Sequence, residues 1–271
     1  MRRLSLLLCL PALVSAAQPV VRDMSLTSAD GYVIKGTLTV PPNAGPRPVV
    51  ILAHQFRSDR SGWQPLTGLL NAKGIATLAL DLRGHGESTW RAGQQVPVTD
   101  DFMASAEAVG FDRIPADLAQ AAAWVRKQPR IDPRRLGLAG ASVGAYSVLL
   151  AAPAVHPVAV LALSPGGKAA FADADGQRLG RAVQDARAAV MVLASQEDGE
   201  VAATAEGLQQ QPGVWVRSTP GDAHGFAFLP GDADLMAGWL GEYLVRYAPA
   251  RKPQPAAPIT LAPAAPAQPQ S

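Results

Sequence analysis

The 271-residue chain predicts an α/β architecture: a doubly wound, mostly parallel sheet entered through an N-terminal antiparallel hairpin. Three observations carry this. Continuous apolar runs at residues 49–53 and 75–80 have the composition of strands buried on both faces, as parallel strands are. Such runs alternate along the chain with segments of helical periodicity. Polar, glycine-containing segments follow several of these runs directly, at the carboxyl ends of strands, where open α/β sheets gather their chemistry.

The elements follow in order. Arg2 and Arg3 precede an apolar run over residues 4–14, the length of a secretory signal and too short for a membrane span. Small residues around Ser15 and Ala16 predict cleavage after Ala16 or Ala17 and a secreted or periplasmic protein without a stable membrane span. Residues 20–28 and 32–40 alternate as strands around Asp30-Gly31, a hairpin turn. Residues 41–48 form a loop before the first buried strand, 49–53. A helix at 66–72 closes at Gly74 ahead of the second buried strand, 75–80. The long stretch from Ser88 to Asp112 reads as irregular. An alanine-rich helix at 115–126 leads to a strand around Leu136, and further strands are expected at 158–163, 190–194 and 214–217. Only a short connection spans 166–187, too small for a full cap domain, which implies an open, shallow pocket. The last helix is expected at 234–247. Residues 20–248 thus make one domain, and residues 249–271, rich in proline and alanine, are expected to be a disordered tail.

Composition excludes several functions. Removing residues 1–16 takes two of the 24 basic residues and none of the 22 acidic ones, so the mature chain is formally neutral. No basic stripe with interleaved aromatics marks a nucleic-acid binder. Cys9, the only cysteine, lies in the leader, so the mature chain has no disulfide, zinc-thiolate site or cysteine nucleophile. No histidine spacing suggests a metal, and no cofactor is expected.

The chain centres on Gly140-Ala141-Ser142-Val143-Gly144, a G-x-S-x-G between an apolar strand and a small-residue helix. Its glycines permit a sharp, strained turn that lifts the serine hydroxyl out of the packing. The Val143 N–H then stands at a helix start, where free donors and the positive end of the dipole face developing negative charge. Of the four histidines, His54 follows the first buried strand, His85 lies in Asp81-Leu82-Arg83-Gly84-His85-Gly86-Glu87-Ser88, and His156 sits in a surface connection. His224 alone follows the last strand beside a flexible Gly225, which favours it as the base that takes the serine proton. Asp198 follows the 190–194 strand and is the candidate acid, with Glu197 as substitute and Glu200 and Asp222 as neighbours.

The elbow at Ser142, the Asp81 to Ser88 motif, and the Asp198 and His224 loops, each following a different predicted strand, resemble the α/β-hydrolase superfamily. The match spans residues 30–247 and is similar to its serine esterases and dienelactone-hydrolase-like members. The order Ser, Asp, His is that of the superfamily. The resemblance implies a triad of Ser142, Asp198 and His224, and a second oxyanion donor from the loop after Ala53. Relatives often have glycine where this chain has Gln55, so either the Gln55 or the Phe56 N–H supplies that donor, with Phe56 preferred. Serine at the elbow implies acyl transfer through an acyl-serine, with a small-molecule ester as substrate. A peptidase or thioesterase with the same triad, or a non-catalytic binding module on the same fold, are the alternatives. Trp90, Phe102, Met103 and Phe111 are candidates either for a substrate wall or for local core.

Overall fold

The alternation of buried runs and helices builds a sheet of eight strands in the order β1-β2-β4-β3-β7-β8-β9-β10. The computed structural model describes residues 18–42 and 44–246; the expected leader, the tail and Tyr247 lie outside them. β1 (Val20–Thr27) and β2 (Val33–Val40) pair antiparallel, Val20 opposite Val40, around the predicted turn. In β2 buried residues alternate with half-buried ones, because one face only is covered. β4 (Ala76–Leu80) pairs antiparallel with β2 and parallel with β3 (Arg47–Ala53). From β3 onward, through β7 (Ile131–Ala141), β8 (Ala159–Leu163), β9 (Ala189–Ser195) and β10 (Val214–Thr219), every pairing is parallel.

Helices cover both faces. α1 (Gln64–Ala72) and α7 (Leu229–Gly241) pack together on one face, over Val50, Leu52, Leu161 and Leu193. Gly74, at φ +75, ends α1 as expected, and the Ile75 N–H bonds back to the Leu70 carbonyl at 3.0 Å. The other face carries α3 (Ile114–Val125), α4 (Val143–Val155), α5 (Gln177–Ala186) and α6 (Gly199–Gln209). No described helix is long and apolar enough to cross a membrane.

Three departures from the sequence reading have physical causes. The stretch from Ser88 to Asp112 is not wholly irregular: it holds a two-rung hairpin of β5 (Trp90–Arg91) and β6 (Gln94–Gln95), then α2 (Phe102–Val109). The Asp101 carboxylate caps α2 by accepting from the Ala104 N–H at 2.9 Å, and Gly110 ends it in the left-handed region. β7 begins at Ile131, ahead of Leu136, and reaches that far because its register against β3 shifts between Arg47 and Val49. α7 begins at Leu229 because Pro230, in its first turn, donates no N–H there, and a π-helical turn over Glu242–Arg246 extends it.

Candidate active site

The turn between β7 and α4 holds Ser142 at φ 54, a region that a side chain avoids unless its surroundings compel it. Its glycines do so. A Cβ on Gly140 would stand 2.3 Å from the Gly144 carbonyl oxygen, and one on Gly144 2.3 Å from that of Ala53. Any larger residue would push α4 away from the ends of β7 and β3. The Ser142 N–H donates to the Leu163 carbonyl at 2.8 Å, and its carbonyl accepts from the Tyr146 N–H at 3.0 Å. The serine is therefore tied to β8 on one side and to α4 on the other.

The three predicted side chains meet. Ser142 Oγ lies 2.8 Å from His224 Nε2, and His224 Nδ1 lies 2.7 Å from Asp198 Oδ2. A carboxylate only accepts, so Nδ1 carries the ring hydrogen and Nε2 is left to take a proton from Oγ. Glu197 and Asp222 take no part: both side chains are exposed, and the Glu197 N–H instead donates to the Gly221 carbonyl at 2.9 Å.

The loop carrying His224 is pinned at two successive backbone N–H groups. Gly225 donates to Ser164 Oγ at 2.9 Å, and Phe226 donates to Gln55 Oε1 at 2.8 Å. Gly225, at φ +55, has no room for a side chain, since a Cβ would stand 2.2 Å from Gln55 Oε1. Sequence reasoning noticed Gln55 as a departure from glycine and as a candidate oxyanion N–H, but missed its side chain as an anchor, and missed Ser164, whose one local signal is its position directly after a buried strand.

The other histidines lie outside this chain of bonds, and two of them are structural. His54 Nδ1 donates to the Gln55 carbonyl at 2.7 Å and Nε2 accepts from the Leu82 N–H at 3.0 Å. Burial first, and His85 second, push its pKa down to about 3, so it is a neutral brace between two loops. His85 donates from Nδ1 to the Arg83 carbonyl at 3.0 Å, and burial lowers its pKa as well. His156 is exposed at the end of α4. Within the same motif Asp81 accepts from the Arg60 and Glu87 N–H groups, each at 2.9 Å, and a Cβ on Gly86 would strike its carboxylate. Arg83 is buried, bidentate to Asp117 at 2.7 and 2.9 Å and bonded to Asp30 at 2.9 Å. This motif is scaffold that fixes the loop after β3.

Ser142 and His224 open into a cleft of ≈ 420 Å³ whose walls include Gln55, Phe56, Phe102, Gly166, Gly167 and Glu200. Among the aromatic candidates only Phe102 lines it. Phe111 is buried beneath, 5.7 Å from the Phe102 ring, while Trp90 and Met103 are exposed elsewhere. The N–H groups of Gln55, Phe56 and Val143 have no acceptor among the described residues. Among those residues no cluster of three or more His, Cys, Asp or Glu side chains converges as metal ligands do.

Comparison with known proteins agrees with this architecture. The family described as serine aminopeptidase, S33, matches residues 44–192. An uncharacterized 31.7 kDa protein of Escherichia coli is 31% identical over 140 residues, 51% of this chain and 43% of that one. An uncharacterized protein of Mycobacterium tuberculosis is 26% identical over 151 residues, 56% of this chain and 48% of that one. The match thus spans less than half the length of these curated relatives. Among solved structures, a dienelactone hydrolase from Anabaena variabilis aligns with TM-score 0.63 and 22% identity, over 84% of this chain and 100% of that one. A cold-adapted esterase from an Arctic intertidal metagenomic library aligns with TM-score 0.65 and 20% identity, over 83% of this chain and 94% of that one. With its parallel sheet, strained serine elbow and matching family, the chain belongs to the serine aminopeptidase S33 family of hydrolases, within the α/β-hydrolase superfamily.

Proposed function

We propose that the protein is a serine hydrolase that cleaves carboxylic esters through an acyl-serine intermediate. The observation that carries the reading is the unbroken chain of hydrogen bonds from Ser142 Oγ through His224 to Asp198. His224 Nε2 takes the hydroxyl proton as Oγ bonds to the ester carbonyl carbon, and gives it to the departing alkoxide. Water then attacks the acyl-serine, losing its proton to the same nitrogen, which returns it to Ser142 as the acid leaves. Asp198 holds the tautomer and stabilises the imidazolium.

The N–H groups of Val143 and Phe56 receive the oxyanion in this reading. Geometry supports Phe56 over Gln55. The Gln55 carbonyl is fixed inward by His54 Nδ1 at 2.7 Å and the Ser58 N–H at 3.2 Å. In a trans peptide the N–H points opposite the carbonyl, so the Phe56 N–H points away from those partners. A missing donor of this kind costs about 2.7–4 kcal/mol of transition-state stabilisation.

Esterases of the same fold support an ester substrate, whereas the serine aminopeptidase description favours a peptidase as the second reading. A fluorophosphonate probe tests the mechanism: it labels the wild type and not Ser142→Ala, and mass spectrometry finds the adduct on Ser142. Turnover of short-chain activated esters, compared with aminoacyl amides and thioesters, separates the substrates. A folded protein that neither takes the probe nor turns over any of them is a binding module instead. Export is proposed from residues 1–16, and N-terminal sequencing of the protein recovered from outside the cytoplasm tests it.

A further inference from the structure

The cleft beside Ser142 is unbalanced in charge. It is lined by two carboxylates, Asp198 and Glu200, and among the described residues by no lysine or arginine. Asp198 is engaged by His224 Nδ1 at 2.7 Å. Glu200 Oε1 accepts from the Gly167 N–H at 2.8 Å, and no cationic side chain of the described residues forms an ion pair with it.

The segment it bonds to carries two glycines, Gly166 and Gly167. A Cβ on Gly166 would lie 3.8 Å from His224 Cε1, and one on Gly167 would lie 2.8 Å from Phe102 Cζ. The segment therefore runs from the edge of the imidazole to the Phe102 ring, and the carboxylate of Glu200 is bonded to its second residue. On that side the wall is aromatic, Phe56 and Phe102 meeting edge to face at 5.1 Å.

Acyl transfer builds negative charge on the substrate carbonyl oxygen, and a carboxylate without a counter-ion in the same cleft opposes it. A positive charge on the substrate, seated between Glu200 and the aromatic wall, removes that opposition and gains both an ion pair and a cation–π contact. A carboxylate on the substrate meets only repulsion. We propose, resting on the ester-hydrolase reading above, that Glu200 makes the cleft selective for esters bearing an ammonium group and against esters bearing a carboxylate.

The test uses the purified protein and three oxygen esters of similar size: acetylcholine, its uncharged isostere 3,3-dimethylbutyl acetate, and 3-acetoxypropionate, each followed by acetate release. The expected kcat/KM for the cation exceeds that for the isostere by roughly 3- to 30-fold, the range of an exposed ion pair with a cation–π contact, and the anion is slowest. Glu200→Gln retains an oxygen for the Gly167 N–H while losing the charge, and brings the cation-to-neutral ratio close to one. Glu200→Lys inverts the order of cation and anion. Added salt narrows the wild-type ratio. A wild-type ratio near one, or one that Glu200→Gln leaves unchanged, overturns the inference. So does a protein that takes a fluorophosphonate yet hydrolyses none of the three. Absence of both labelling and turnover removes the ester-hydrolase reading itself, and the inference with it, whereas labelling with equal rates on cation and isostere removes the inference alone.

Discussion

Gln55→Ala isolates the tie between the loop after β3 and the loop that carries His224. The wild-type side chain accepts from the Phe226 N–H at 2.8 Å, two residues beyond the imidazole. Truncation leaves that donor without a protein partner, and water entering from the open cleft replaces it in part. Of the 1–3 kcal/mol assigned to an unsatisfied buried donor, about 1–2 kcal/mol remains as the cost of keeping the loop seated. The second anchor, Gly225 N–H to Ser164 Oγ at 2.9 Å, is untouched, so the loop loosens without leaving. At 1.36 kcal/mol per factor of ten, the equilibrium constant for seating falls by about 5- to 30-fold. Because the lost bond holds His224 in the geometry that the transition state needs and is not a contact to the substrate, kcat on a short-chain ester falls by up to that factor while KM stays within about twofold. Steady-state kinetics and the rate of fluorophosphonate labelling read the same loss. Ser164→Ala, removing the other anchor, gives the same signature. A rise in KM with kcat unchanged refutes the reasoning, since it makes Gln55 a substrate contact; unchanged kinetics in a folded variant refute it as well.

Asp198→Asn turns an amide donor toward His224 Nδ1, forcing the ring hydrogen to Nε2, and kcat is expected to drop by roughly 10⁴-fold with the melting temperature little changed. Gly144→Ala places a methyl 2.3 Å from the Ala53 carbonyl oxygen, a backbone atom that cannot rotate away. Denaturant unfolding is expected to show a loss of about 1–3 kcal/mol, and a neutral result contradicts the close approach of α4 to β3. Asp30 gives a pH dependence. Burial raises its pKa, but the bonds to Arg83 and Ser28 outweigh burial and bring it from 3.8 to about 2. The folded value is the lower one, so the contribution is complete above about pH 4 and is lost as pH falls toward about 2. After allowance for solvent screening it amounts to about 1 kcal/mol, read as a stability gap between wild type and Asp30→Asn that closes over that window. A gap that is constant from neutral pH to pH 2.5 removes Asp30 from the account.

Local signals carried most of the fold and the site. Strands buried on both faces have no alternation to hide, and the serine elbow is legible because its glycines are forced by contacts within the turn and with the adjacent strand. Asp198 and His224 could be singled out because both follow strands, and the resemblance chose Asp198 over Glu197. What escaped depends on partners distant in sequence. Gln55 and Phe226 are 171 positions apart, and nothing near either announces the bond. Phe102 separated from the other aromatics only because α2 exists, and α2 is a single short element set by its caps. Asp101 caps its start and Gly110 ends it, but with eight residues between them the apolar period is too brief to outweigh a loop.

The histidines show how one residue type is divided between scaffold and chemistry. His54 and His85 are buried, and each gives its Nδ1 hydrogen to a backbone carbonyl. Burial disfavours the charged form of both and lowers both pKa values, that of His54 to about 3. His224 keeps 41% of its side chain exposed, with a carboxylate on one ring nitrogen and a hydroxyl on the other. In the proposed mechanism solvent and Asp198 together stabilise the imidazolium, while the two loop anchors supply the position. The rigidity of the buried pair is part of that position: His54 fixes the Gln55 carbonyl, and the Gln55 side chain in turn holds the backbone beyond His224. A histidine kept neutral by burial thus helps to aim the one that faces Ser142.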